Sequence, residues 1–163
     1  MAGAKKPRKK KATQNPAQSK RRESIREQKE LSEHATKAVD ICKEMIEHFD
    51  TAVQSVYPNL TGKEIEEWET IRDRALEDIG VFHDDIKRVN EEVTTQIDKA
   101  YKGDKINEKE VVELFGKVLG FADISENVVN YMSNTEATLQ EFVEEVNGKL
   151  KEVDVQVGEN NGQ

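Results

Sequence analysis

The sequence predicts an all-α protein: an elongated, antiparallel three-helix bundle of coiled-coil-like character, with a disordered basic N-terminal arm. Three observations predict it. Charged residues make up 36 % of the 163 positions, aromatics only 6 %, and there are three prolines, a balance that suits long solvated helices better than an α/β core. The apolar residues, 35 % of the chain, recur in steps of three and four along three successive stretches. Each stretch opens on a helix-capping residue, and the first two run into a proline or glycine stop.

The arm comes first. Residues 1–15 hold no apolar side chain larger than alanine after Met1, and Pro7 interrupts the basic run. Nothing there offsets the entropy of ordering, so the reading is a disordered segment. Asn15-Pro16 then marks a helix start, with asparagine as cap and proline in the first turn, where its missing N–H costs nothing. Gln18 has the spacing to close a capping box.

The first helix is predicted over residues 16–57, with Pro58 ending it. Its stripe is Leu31, Ala35, Ala38, Cys42, Met45, Phe49, Ala52 and Val56, a strict alternation of four- and three-residue steps. Val39, Ile41, Ile46 and Val53 flank that stripe and widen it, which implies contact with two neighbouring helices rather than one.

Thr61 and Glu64 have capping-box spacing and open a second helix over 62–102, closed by Lys102-Gly103. Its stripe runs Ile65, Trp68, Arg72, Ala75, Ile79, Phe82, Ile86, Val89, Val93, Gln96 and Ala100. Asn107 and Glu110 repeat the same spacing and open a third helix over 107–153. There Val111, Leu114, Val118, Phe121, Ser125, Val128, Met132, Thr135, Leu139, Phe142, Val146 and Val153 form the stripe, with Lys149 interrupting it near the end. Residues 154–163 read as a polar tail. The bundle proper is therefore 16–153, with helices on the order of 60 Å long joined by short connections, so that sequential helices are antiparallel. Arg72, Gln96, Ser125 and Thr135 are polar members of apolar seams and read as register-fixing residues. Gly80 weakens the second helix locally; Gly116 and Gly120 allow either close helix approach or a kink.

Charge is partitioned sharply. Lys5, Lys6, Arg8, Lys9, Lys10, Lys11, Lys20, Arg21 and Arg22 give the first 22 residues a net +9 with no acid among them, so the remainder sums to −17 within the overall −8. Such a basic segment neutralises phosphates without fixed geometry and points to nucleic acid as partner. No aromatic interleaves it, so base stacking and sequence readout are not expected. Residues 5–11 also satisfy a nuclear-import pattern, and the segment suits a peptide that docks on an acidic protein surface; nucleic acid is the favoured reading.

The remaining candidates for chemistry carry none. Cys42 is the single cysteine, which excludes an intramolecular disulfide and a multi-cysteine zinc site, and it sits on the apolar stripe as a buried thiol. His34 and His48 lie two heptads apart, about 21 Å along a helix, and cannot share an ion. Their partners at i−4, Glu30 and Glu44, read as ion-pair partners. A basic tail on a helical bundle is similar in architecture to the DNA-protecting members of the ferritin-like class, but the Glu-x-x-His ligand pairs of that class are absent. His83, Asp84 and Asp85 are adjacent on a helix and do not face one another. No EF-hand spacing, phosphate-cradling glycine loop, membrane-length apolar run or signal-peptide core is present.

The sequence thus predicts a soluble intracellular protein, cytoplasmic, nucleoid or nuclear, or one enclosed in a virion. It is not expected to be an enzyme, and no cofactor, metal, membrane or small-molecule substrate is expected. The arm is expected to tether it to nucleic acid without sequence specificity through the nine basic residues above, while the acidic bundle binds protein partners or self-associates, as chromatin, nucleoid or genome-packaging factors do. The alternative is a protein–protein adaptor or scaffold whose arm is an import signal or docking peptide.

Overall fold

The computed structural model of the protein describes residues 3–4 and 15–161, and side chains as far as residue 152. Three helices account for nearly all of them, and no strand is present among the described residues. Helix α1 spans Pro16–Gln54 and α2 spans Gly62–Ala100, each of 39 residues, while α3 spans Glu108–Asn161 and has 54. A 3₁₀ turn, Tyr57–Asn59, lies between α1 and α2. Each helix packs against both others, forming a three-helix bundle.

Helix starts follow local chemistry. Asn15 Oδ1 accepts from the Ala17 amide at 3.0 Å, with Pro16 as the first helical residue. At α2 both halves of the capping box form: the Glu64 amide donates to Thr61 Oγ1 at 3.2 Å, and the Thr61 amide to Glu64 Oε2 at 3.0 Å. That amide, followed by the ammonium of Lys149 at 3.1 Å, holds the Glu64 carboxyl below its ordinary range. At α3 the Glu110 amide approaches Asn107 Oδ1 at 3.4 Å, but the Glu110 side chain turns away from the cap and accepts from Gln96 on α2.

All three helices end away from their expected bounds, α2 by two residues, since it closes at Ala100 rather than 102 with Tyr101 as its cap. Helix α1 closes at Gln54, three residues short of Tyr57, because the Ser55 amide bonds to Thr51 and the Val56 amide to Val53, tightening the chain into the 3₁₀ turn that contains Pro58. Helix α3 continues through Asn161, so the segment read as a polar tail from residue 154 is helical backbone to that point. Local polarity there signalled a tail, but no proline or capping break precedes it to stop the ladder.

The core is a single seam. On α1 it runs through Ala35, Val39, Cys42 and Ile46, all fully buried, and on through Val53. Val39, Ile46 and Val53, expected as flankers, are thus central, while Ala38, Met45 and Phe49 are half-buried and Ala52 is exposed. The reason is the double contact of α1: the line equidistant from two neighbours is buried most deeply, not the centre of a single two-helix seam. Trp68 of α2 packs on Phe142 of α3 with ring centroids 5.3 Å apart, and Phe82 meets Tyr131 edge-on at 5.4 Å. Burying one such aliphatic or aromatic side chain contributes about 1.5–3 kcal/mol.

Both α2 and α3 run unbroken through their glycines. A Cβ at Gly120 would lie 3.2 Å from both methyls of Val89, so this glycine permits the close approach of α3 to α2. Gly80 and Gly116 face open space. Two of the polar seam residues are paired: buried Gln96 reaches Glu110, and Arg72 Nη1 meets Asp50 Oδ1 at 3.2 Å.

Candidate nucleic-acid interface

Of the nine basic residues predicted to contact nucleic acid, Lys5, Lys6, Arg8, Lys9, Lys10 and Lys11 lie outside the described residues. Lys20, Arg21 and Arg22 form the first turns of α1, where Lys20 and Arg22 are exposed. Arg21 is engaged within the bundle: its Nη2 donates to Asp98 Oδ1 near the end of α2 at 2.6 Å. Both partners are about half exposed, so the pair contributes little to stability, but it directs one of the predicted contacts toward the protein rather than outward.

The point at which the basic segment joins the bundle is well defined. Asn15 caps α1 and also donates from Nδ2 to Asp104 Oδ1 in the α2–α3 connection. The segment therefore leaves the bundle at the pole where α2 ends and α3 begins. That connection is shaped by Gly103, whose φ of +63° is a conformation that side chains disfavour. It is closed by backbone bonds from the Asn107 amide to the Ala100 carbonyl at 2.8 Å and from the Lys105 amide to the Lys102 carbonyl at 3.3 Å.

This pole carries a basic cleft that sequence reasoning missed. Lys99, Lys102, Lys105 and Lys109 line an open depression of about 700 Å³ together with Ile106, Asn107 and Glu108. The signal was present as four lysines in eleven residues, but it was submerged in a body that nets −17 and split between two helix ends and a turn. Of the acids nearby, Asp98 is engaged by Arg21, Asp104 by Asn15 and Glu110 by Gln96, while Glu108 lines the cleft itself and sets one carboxylate against the four lysines.

The other titratable candidates are dispersed. His34 and His48 are exposed on α1, and the Glu30 carboxylate meets Arg26 at 4.0 Å. His83 Nε2 is 4.0 Å from Asp40 of α1, while its chain neighbour Asp85 faces Arg88 at 3.6 Å. Among the described residues no three His, Cys, Asp or Glu side chains come together to hold a metal ion. Cys42 is buried, and burial pushes its thiol up from the ordinary range. No helix of the described residues is long and apolar enough to cross a membrane.

Comparison with protein-family models, curated proteins and solved structures finds no match.

Proposed function

We propose that this chain is a non-enzymatic assembly protein whose basic N-terminal segment tethers it to nucleic acid without sequence specificity, while the acidic bundle associates with protein. The observation that carries the reading is the partition of charge: +9 in the first 22 residues against −17 in the rest. The acidic faces of the bundle repel phosphate, so attachment falls to the basic segment and the pole from which it departs. With no aromatic side chain in that segment, contact is to the backbone and is indifferent to base sequence.

The association half of the reading is supported by an outward apolar stripe on α3. Val112, Phe115 and Leu119 are 69 %, 64 % and 62 % exposed and follow one another in steps of three and four, on one side of the helix. This stripe is the surface offered to a protein partner or to further copies of the chain.

The deciding experiment is a salt titration of binding to a random-sequence DNA duplex. The full chain is compared with a variant in which Lys5, Lys6, Arg8, Lys9, Lys10 and Lys11 are replaced by glutamine. If the segment makes about eight phosphate contacts, log Kd rises with log salt with a slope near 7. The expected result is steep binding that collapses in the variant. Absence of binding by the full chain at low salt overturns the tether and favours a docking peptide or import address. Sedimentation reads the association half: a dimer dispersed by Phe115→Ser supports self-association, and a monomeric full chain overturns self-association in favour of a protein partner.

A further inference from the structure

We infer that the lysine cleft at the α2–α3 connection is a second phosphate-contacting surface, beside Asn15 at the start of α1, so that duplex nucleic acid is gripped by the pole of the bundle as well as by the tether. The inference rests on the reading of the N-terminal segment as a nucleic-acid tether and extends it to folded residues.

Three observations lead there. The first is position: the hydrogen bond from Asn15 to Asp104 fixes the base of the segment against the same connection that carries Lys102 and Lys105. A duplex held by the segment is therefore brought to this pole before any other part of the bundle. The second is availability. Among the described residues none of the ammoniums of Lys99, Lys102, Lys105 and Lys109 lies within 4.0 Å of a carboxylate, unlike those of Lys29, Lys43 and Lys149; Lys37, Lys63, Lys87, Lys117 and Lys151 are unpaired as well, and what sets the four apart is that they line one depression. The third is order: Gly103 and the two backbone bonds that close the connection hold the lysine-bearing turn in one shape. Lysine acts on phosphate as a point charge on a long stem, so an open cleft lined by four of them suits a backbone that presents a charge about every 1.7 Å of duplex axis. It is poorly suited to reading bases, for which the cleft offers no aromatic platform and no bidentate guanidinium.

The test uses the full chain. Lys99, Lys102, Lys105 and Lys109 are replaced together by glutamine, and binding to a random-sequence DNA duplex is titrated with salt beside the parent protein. A second quadruple variant, Lys37→Gln, Lys63→Gln, Lys87→Gln and Lys151→Gln, removes the same charge from exposed sites elsewhere. Helical circular dichroism confirms that both variants keep the bundle. Each phosphate contact contributes about 0.9 to the salt slope, so the cleft variant is expected to bind with a slope shallower by about 3 to 4 and the other to keep the parent slope. If the cleft variant keeps the parent slope while neutralising residues 5–11 abolishes binding, the cleft inference is wrong and the tether stands. Equal losses in the two quadruple variants also overturn it, because net charge and not the site would then set affinity. A parent chain that does not bind duplex removes the tether and the cleft together.

Discussion

The indole N–H of Trp68, a residue with no exposed surface, donates to Asp50 Oδ1 at 2.9 Å across the α1–α2 interface. The same oxygen accepts from Arg72 Nη1 at 3.2 Å, so one carboxylate satisfies a buried indole and anchors a guanidinium that is only 20 % exposed. Arg72 was legible in the sequence as a polar residue on an apolar seam. Its partner was not, because Asp50 belongs to another helix.

Removing that carboxylate strands the indole donor. Asp50→Ala is expected to destabilise the fold by about 1–3 kcal/mol, the usual cost of leaving a buried donor without an acceptor. Asp50→Asn keeps an acceptor for the indole and is expected to lose less. Denaturant midpoints measure both. Trp68 is the single tryptophan, so a change in its emission maximum in the folded Asp50→Ala protein reports the altered surroundings directly.

The glycines of the long helices separate by what they face. At Gly80 a Cβ meets nothing within 4 Å, so Gly80→Ala is expected to stabilise by about 0.5–1 kcal/mol through backbone entropy alone. Gly120 is the opposite case, since a Cβ there sits 3.2 Å from Val89 Cγ1 and Cγ2. Gly120→Leu is expected to force α2 and α3 apart and cost about 1–3 kcal/mol or more, with Val89→Ala relieving part of the loss in the double variant. Additive effects in that cycle would contradict the close approach.

How much of this was legible follows from the range over which each feature is encoded. Helix starts depend on three or four consecutive residues, and Asn15-Pro16 and Thr61-to-Glu64 cap as their spacing implies. Burial depends on the neighbours. Val39 and Ile46 look like flankers of a heptad stripe until a second helix covers them, and they become fully buried. The α1 terminus shifted because a proline forbids helix without saying how the preceding carbonyls are satisfied; here a 3₁₀ turn takes them. The lysine cleft was the least legible feature. It is assembled from the end of one helix, a turn and the start of the next, and the contact that places it beside the basic segment links Asn15 to Asp104, 89 residues away.

Cys42 offers a probe of opening. Its side chain is fully buried between the helices, and burial raises the thiol, so at neutral pH it has neither access nor thiolate to react. A disulfide reagent at pH 8 is expected to leave the folded protein unmodified on the timescale of seconds to minutes and to react at once in denaturant. The slow rate under native conditions should then fall in step with any stabilising change such as Gly80→Ala. Prompt labelling of the folded chain would place the thiol at the surface and contradict the packing of α1.

At high pH the interface between α2 and α3 has a titratable weak point. Tyr131 donates its phenol proton to Asp78 Oδ2 at 2.8 Å, and burial together with that bond pushes its pKa from the ordinary 10.0 up to about 12. The folded pKa lies above the unfolded one, so this contribution is whole below pH 10 and drains away as pH rises from 10 toward about 12, where the unfolded chain sheds the proton first. Stability should therefore fall across that window, and Tyr131→Phe should flatten this part of the fall while giving up the hydrogen bond at neutral pH. Tyrosinate absorbance followed alongside thermal unfolding measures both effects. If Tyr131→Phe leaves the alkaline limb as steep as in the parent, the phenol does not carry the linkage, and the bond to Asp78 is not maintained in solution.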